Sequence, residues 1–170
     1  MSTETLPQND PEISTPTAKH HLLGAFTGEW ESEGEIIMGP DIPTVQIKGT
    51  ETSRMIGGFW FIADIRSLVT DMPYEQTLTI GYDVSKKKYI GTVVDSMTSY
   101  LWHQEGDIDA TGKILTMETQ GPCPNTPGEL STYREVTELK TPDHKYFTSS
   151  ILADDGNWYP VMKINLYRKK

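Results

Sequence analysis

The chain has 170 residues, and 15 Lys and Arg against 24 Asp and Glu give it a formal net charge of −9. That length suits one domain with a substantial core, and no run of about 18 apolar residues indicates a membrane span. The negative charge argues against nucleic acids and anionic membranes as partners, and the single cysteine, Cys123, excludes internal disulfides and multi-cysteine metal sites.

The N-terminal segment, residues 1–16, is rich in Pro, Ser, Thr and acidic residues. It lacks the basic and apolar regions of a secretory signal, so a cytoplasmic location is expected. Such a composition predicts a flexible tail, because it cannot bury enough apolar surface to offset the entropy of ordering. A single domain is therefore expected over residues 17–170.

One short helix is predicted before the first strand, over residues 17–26. Thr15 or Thr17 can cap its N-terminus, and Leu22, Leu23 and Phe26 form an apolar stripe. Gly28 is placed to end it.

The remainder of the chain predicts about ten strands joined mostly by short turns. Short links make neighbouring strands antiparallel, since a parallel pair needs a crossover of a dozen or more residues. An all-β, up-and-down antiparallel barrel, similar to lipocalins and fatty-acid-binding proteins, removes the exposed edges of such a meander. An open two-sheet sandwich is the alternative, although it needs longer connections. The predicted strands are residues 29–36, 44–55, 59–65, 77–83, 88–95, 100–107, 113–120, 129–139, 145–152 and 158–168.

Several segments carry a family resemblance. Gly28-Glu29-Trp30 after a short helix resembles the Gly-x-Trp opening of calycin proteins, which include lipocalins, fatty-acid-binding proteins and nitrobindin-like haem barrels. Together with Gly57-Gly58-Phe59, Gly81-Tyr82-Asp83 and Val94-Asp95-Ser96-Met97, it is similar to the bacterial domain-of-unknown-function family 1579 over about residues 19–169. The resemblance implies a lipocalin-like barrel and no established activity.

Two polar residues in predicted strands are candidates for binding the polar end of a ligand. His103 could face the cavity and bind a ligand or haem iron, or act as an acid or base near neutral pH. Arg134, if it points inward, must be paired or hold an anionic group, and an outward salt bridge to an acidic residue is the alternative. Nitrobindin-like barrels carry their haem histidine toward the C-terminal end, where residues 158–168 have none. No cofactor is therefore expected.

Further candidates for the pocket are large apolar residues in strands and one acidic residue near a strand end. Methionine adapts to irregular ligand shapes, and inward-facing aromatic residues supply apolar surface. Cys123, between two prolines, has no basic neighbour to lower its pKa and is expected to be unreactive. The pocket candidates are Trp60, Trp102, Met117, Met162 and Asp95.

The leading hypothesis is a binding barrel without enzymatic activity. It would hold a small apolar or amphipathic molecule, with Arg134 or His103 fixing its polar end. One alternative is a small-molecule enzyme that uses His103 with Asp95 or Glu118. The others are a haem barrel of the nitrobindin type and an interaction module with a filled barrel and an apolar or homodimer contact.

Overall fold

The computed structural model describes residues 14–170, so residues 1–13 of the expected tail lie outside the described residues. The expected N-terminal helix is present as one α-helical turn and a following 3-10 helix. Ten strands follow it. The elements are α1 (Ala18–Leu22), the 3-10 helix Leu23–Phe26, and the strands β1 (Gly28–Ile36), β2 (Val45–Ile56), β3 (Trp60–Val69), β4 (Met72–Asp83), β5 (Lys88–Asp95), β6 (Trp102–Ile108), β7 (Ile114–Pro122), β8 (Leu130–Thr141), β9 (His144–Leu152) and β10 (Trp158–Arg168).

Each strand pairs antiparallel with the next, and β1 also pairs with β10, so the sheet closes into a barrel. The closing pair runs from Trp30 opposite Arg168 to Ile36 opposite Met162. This confirms the predicted up-and-down barrel of about ten strands. The open sandwich is wrong, because closure leaves neither β1 nor β10 as a free edge.

The largest difference from the predicted strands lies in the β3–β4 hairpin. β3 continues to Val69 and β4 already begins at Met72, where the sequence had indicated a loop. Thr70 and Asp71 form the turn with positive φ angles of 47° and 66°. Such two-residue turns usually contain glycine, so a turn without one gave no sequence signal.

The helical segment covers one end of the barrel. Leu23 and Phe26 are 0% and 2% exposed and belong to the cluster of buried apolar residues that forms the core. The Tyr89 hydroxyl donates to the Lys19 carbonyl oxygen at 2.7 Å, which ties α1 to β5. Trp30 of β1 is fully buried near this end. Within residues 14–170, no helix is both long and apolar enough to pass through a bilayer.

Candidate functional site

A cavity of about 940 Å³ occupies the barrel interior. At the helical end, buried Leu23 and Phe26 form its floor. At the other end its wall includes Met38, Met72 and Met97, which are 53%, 58% and 64% exposed to solvent. The cavity therefore opens away from the helix. Its size falls within the roughly 300–1,000 Å³ of small-molecule pockets.

The wall is mainly apolar because alternate residues of each strand point inward and most of these are apolar. One polar cluster interrupts it. The Tyr74 hydroxyl donates to Gln76 Oε1 at 2.6 Å, and Gln104 Nε2 donates to Glu135 Oε2 at 2.5 Å. Asp95 lies directly opposite Gln76 in the β4–β5 register and also lines the cavity.

Burial raises two pKa values in this cluster. Burial raises the pKa of the Glu135 carboxyl, and the hydrogen bond from Gln104 only partly offsets it. Burial also raises the pKa of the Tyr74 phenol, and the negative charges of Asp95 and Glu135 add to the effect. The Glu135 and Asp95 carboxyls therefore both act on Tyr74, and the three side chains belong to one acidic region of the cavity wall.

The floor holds a buried ion pair between Lys145 of β9 and Glu51 of β2. Lys145 Nζ lies 2.7 Å from Glu51 Oε1, and the two side chains are 2% and 8% exposed. Lys145 also donates to the Phe26 carbonyl oxygen at 3.2 Å and lies 4.3 Å from the centre of the Trp30 ring. Burial lowers the pKa of the Lys145 ammonium, while Glu51 partly restores it. The pair thus links β2, β9 and the helical segment.

Neither His103 nor Arg134 lines the cavity, although both were candidates for binding the polar end of a ligand there. His103 is exposed, because its neighbours Trp102 and Gln104 point inward along β6. Arg134 lies on the outer surface, where its Nη2 is 2.7 Å from Glu118 Oε1. Its guanidinium stacks 4.0 Å from the centre of the Trp158 ring. The outward salt bridge, the alternative for Arg134, is therefore the arrangement that the structure shows.

The structure brings four of the seven candidate residues to the cavity wall: Trp102, Met117, Met162 and Asp95. Trp60 is 42% exposed and lies outside, where it covers Gly81 of the next strand. Trp102 has a glycine beside it as well, since a Cβ on Gly121 would lie 1.8 Å from its ring. Gly121 therefore leaves the space that lets Trp102 turn into the cavity.

The acid–base pair suggested by the sequence, His103 with Asp95 or Glu118, does not form. Asp95 faces the cavity, whereas His103 and Glu118 are exposed on the outer face of the barrel. A proton cannot pass directly between groups on opposite faces of a sheet. The cavity also presents no imidazole to a haem iron, since none of the chain's four histidines, all of them described, contributes to its wall. Within residues 14–170, no three His, Cys, Asp or Glu side chains group as metal ligands.

Cys123 lies at the open end of the cavity, among its lining residues. Hydrogen bonds to the sulfur from the Thr126 and Ser131 hydroxyls and from the Asn125 backbone lower the pKa of its thiol to about 7. The pKa is therefore lowered without a basic neighbour, and the reactivity of the thiol stays a prediction. No basic neighbour is needed, because hydrogen bonds alone stabilise the thiolate.

Polar residues that face the cavity and that sequence reasoning missed include Glu51, Tyr74, Gln76, Gln104, Glu135 and Lys145. One signal was available in β6. Glu105 and Asp107 alternate in phase with His103, and a face with two acids is usually the solvated one. That phase assigns Gln104 to the interior. For Lys145 the chain offered no signal, because its partner Glu51 lies 94 residues away.

The fold and the cavity together define a closed, ten-stranded antiparallel barrel with an internal pocket that opens opposite a short helical plug. The chain belongs to the family described as protein of unknown function DUF1579, whose model matches residues 15–168. A search of curated proteins finds no significant match.

Solved structures show the same fold at low sequence identity. The crystal structure of Rv2717c from M. tuberculosis is 13% identical, with a TM-score of 0.69, 92% of this chain covered and 100% of that one. The S-type phycobiliprotein lyase CPES from Guillardia theta is 10% identical, with a TM-score of 0.55, 87% of this chain covered and 90% of that one. At such identities the likeness concerns the fold alone.

Proposed function

We propose that this protein binds one small apolar or amphipathic molecule inside the barrel. The observation that carries the proposal is the cavity of about 940 Å³, with a mainly apolar wall and one polar region at Tyr74, Gln76, Asp95, Gln104 and Glu135. Apolar pockets with a few convergent polar groups are the usual form of small-molecule sites. The similar fold of an S-type phycobiliprotein lyase is in keeping with this use of the barrel.

The residues proposed to contact the ligand combine four sequence candidates with the polar cluster. Trp102, Met117 and Met162 provide apolar surface, and the methionines adapt to the shape of the ligand. Asp95 and its neighbours orient the polar end. His103, Arg134 and Trp60 take no part in this proposal, since they lie on the outer surface.

The test fills the cavity and measures the binding of a neutral apolar dye. Thr137 lines the cavity, whereas the preceding residue, Val136, does not. In T137W the indole should occupy part of the cavity. The apparent affinity for Nile red, measured from its fluorescence enhancement, should then fall by about tenfold or more. The matched variant V136W carries the same added group on the opposite face and should bind the dye as the wild type does.

Two results would overturn the proposal. One is a wild-type protein that gives no Nile red enhancement and no bound small molecule in native mass spectrometry. The other is an equal loss of binding in T137W and V136W, which would place the dye on the outer surface. Circular dichroism of both variants shows whether the barrel still folds, and a small cavity-facing change, T137L, replaces T137W where the indole is too large.

A further inference from the structure

Acidic side chains outnumber basic ones on the cavity wall. Three carboxyl side chains, Glu51, Asp95 and Glu135, face the cavity among the described residues, and one basic side chain, Lys145, faces it with them. Among the described residues, no arginine or histidine lines the cavity. A pocket of this composition favours positive over negative charge, because low-dielectric walls strengthen the interaction with each charge.

The one basic group is already engaged. Lys145 donates to Glu51 Oε1 at 2.7 Å and to the Phe26 carbonyl oxygen at 3.2 Å. Its side chain is 2% exposed and lies at the floor, beneath the apolar part of the cavity. A carboxylate ligand would have to displace Glu51 to reach it, and separating a buried ion pair is costly. The pocket therefore lacks the free cation that would hold an anionic head group.

The two remaining carboxyls, by contrast, each have an oxygen left for a ligand. Glu135 uses Oε2 to accept from Gln104. Asp95 uses Oδ1 to accept from the backbone N–H groups of Met97 and Thr98, at 2.7 and 3.1 Å. Within residues 14–170, Glu135 Oε1 and Asp95 Oδ2 accept no hydrogen bond from a protein donor. Carboxylate oxygens that accept from a charged donor form the stronger class of hydrogen bonds.

We propose that the ligand is an amphipathic molecule whose polar end is a cationic nitrogen group, such as an amine, held by Glu135 and Asp95, and that carboxylate ligands are disfavoured. This inference rests on the proposed function and names the ligand class for the same cavity. The apolar part of the ligand lies against Met117, Met162 and Trp102. A hydroxyl end group binds with intermediate strength, because Gln76 and Gln104 can still bond it.

The experiment compares three molecules with one apolar chain and different ends: dodecylamine, dodecanol and dodecanoate, each below its aggregation concentration. Each competes with Nile red for the wild-type protein at neutral pH. Dodecylamine should displace the dye at a concentration about tenfold or more below that of dodecanoate, with dodecanol between them. The single chain length keeps the apolar contribution constant, so the order reports the end group.

Two variants test whether Glu135 and Asp95 cause the preference for dodecylamine. E135Q keeps an oxygen that accepts from Gln104 but loses the carboxyl charge, and D95N keeps an oxygen for the Met97 and Thr98 backbone. Each should reduce the preference for dodecylamine over dodecanoate by about threefold or more, whereas the displacement by dodecanol should change less than that by dodecylamine. The control is E31Q, an exposed residue of β1. It removes the same charge from a protein of net charge −9, and it should leave the order unchanged.

The outcomes separate this inference from the proposed function. If Nile red binds and dodecanoate displaces it as well as dodecylamine does, the ligand class is wrong and the binding barrel stands. If E31Q reduces the preference as much as E135Q and D95N do, the amine is drawn by surface charge and the assignment to the cavity is wrong. If Nile red does not bind and native mass spectrometry finds no bound small molecule, the proposed function itself fails.

Discussion

Loss of the Glu51 carboxylate should strongly destabilise the barrel. The substitution E51Q keeps the shape of the side chain and an oxygen for the Ser53 hydroxyl, which donates to Glu51 Oε1 at 2.9 Å. It removes the charge opposite Lys145, whose ammonium is 2.7 Å away and 2% exposed. A buried charge is then left without its counter-charge.

The size of the effect follows from what Lys145 retains. Removing one partner of a buried ion pair costs about 3–5 kcal/mol. The lower end applies here, because Lys145 keeps the Phe26 carbonyl and lies 4.3 Å from the centre of the Trp30 ring. Its burial also lets it lose its proton more easily. We therefore expect a loss of about 3 kcal/mol, which corresponds to a decrease of about 6–12 °C in Tm for a protein of this size.

The assay is urea unfolding followed by tryptophan fluorescence, which senses Trp30 beside the pair. Four proteins form a double-mutant cycle: the wild type, E51L, K145M and the double variant E51L/K145M. The double variant should be more stable than the sum of the single losses predicts, by about 2 kcal/mol or more, because it leaves no unpaired charge. The matched control is E118Q, which breaks the exposed pair with Arg134 and should cost less than about 1 kcal/mol.

If E51Q lowered the free energy of unfolding by less than about 1 kcal/mol, this reasoning would be refuted, because the buried pair would then contribute no more than an exposed pair does. Additive losses in the cycle would refute it as well. They would mean that Lys145 and Glu51 stabilise the barrel independently, through contacts other than the one between them.

Two further predictions concern the titrating groups of the cavity. Burial raises the pKa of Glu135, so the group favours folding below about pH 4.5 and opposes it as the pH rises through the raised value. E135Q should therefore be more stable than the wild type at pH 7, with a difference that shrinks toward pH 4 in urea unfolding. The Cys123 thiol, with a pKa of about 7, should reach half of its maximal alkylation rate by iodoacetamide near pH 7. In T126V, which lacks the hydroxyl that contributes most to this shift, the midpoint should move upward.

Each of these has a result that counts against it. A stability difference between E135Q and the wild type that stays constant from pH 4 to pH 7 would mean that Glu135 does not titrate differently in the folded state. An alkylation midpoint near the ordinary pKa of 9 would mean that the hydrogen bonds to Cys123 do not hold its thiolate in solution.

Much of the fold was accessible from the sequence because it is built from local hairpins. The period of two and the turn residues predicted ten strands, and the bounds of β10 agree at both ends, Trp158 and Arg168. Short turns also fixed the antiparallel order. The β3–β4 hairpin was partly missed, since Thr70 and Asp71 do not resemble a tight turn.

The site was less accessible, because the inner face of a strand cannot be read where both faces carry polar residues. In β8, Arg134 and Glu135 are adjacent charged residues, and only the closed barrel shows that Glu135 faces inward. The pair of Lys145 and Glu51 joins β9 to β2 through the interior, and no local pattern connects the two. Apolar candidates were easier, since Met117 and Met162 suit an interior position in any register.

The closure of the barrel between its first and last strands has a consequence for synthesis on the ribosome. Nine of the ten strand pairings join neighbours in sequence and can form as the chain emerges. The tenth pairs Trp30 of β1 with Arg168 of β10. Until β10 has left the exit tunnel, β1 and β9 remain unpaired edges that other nascent chains can join. Translation that stops before residue 158 should therefore release an aggregating product rather than a smaller barrel.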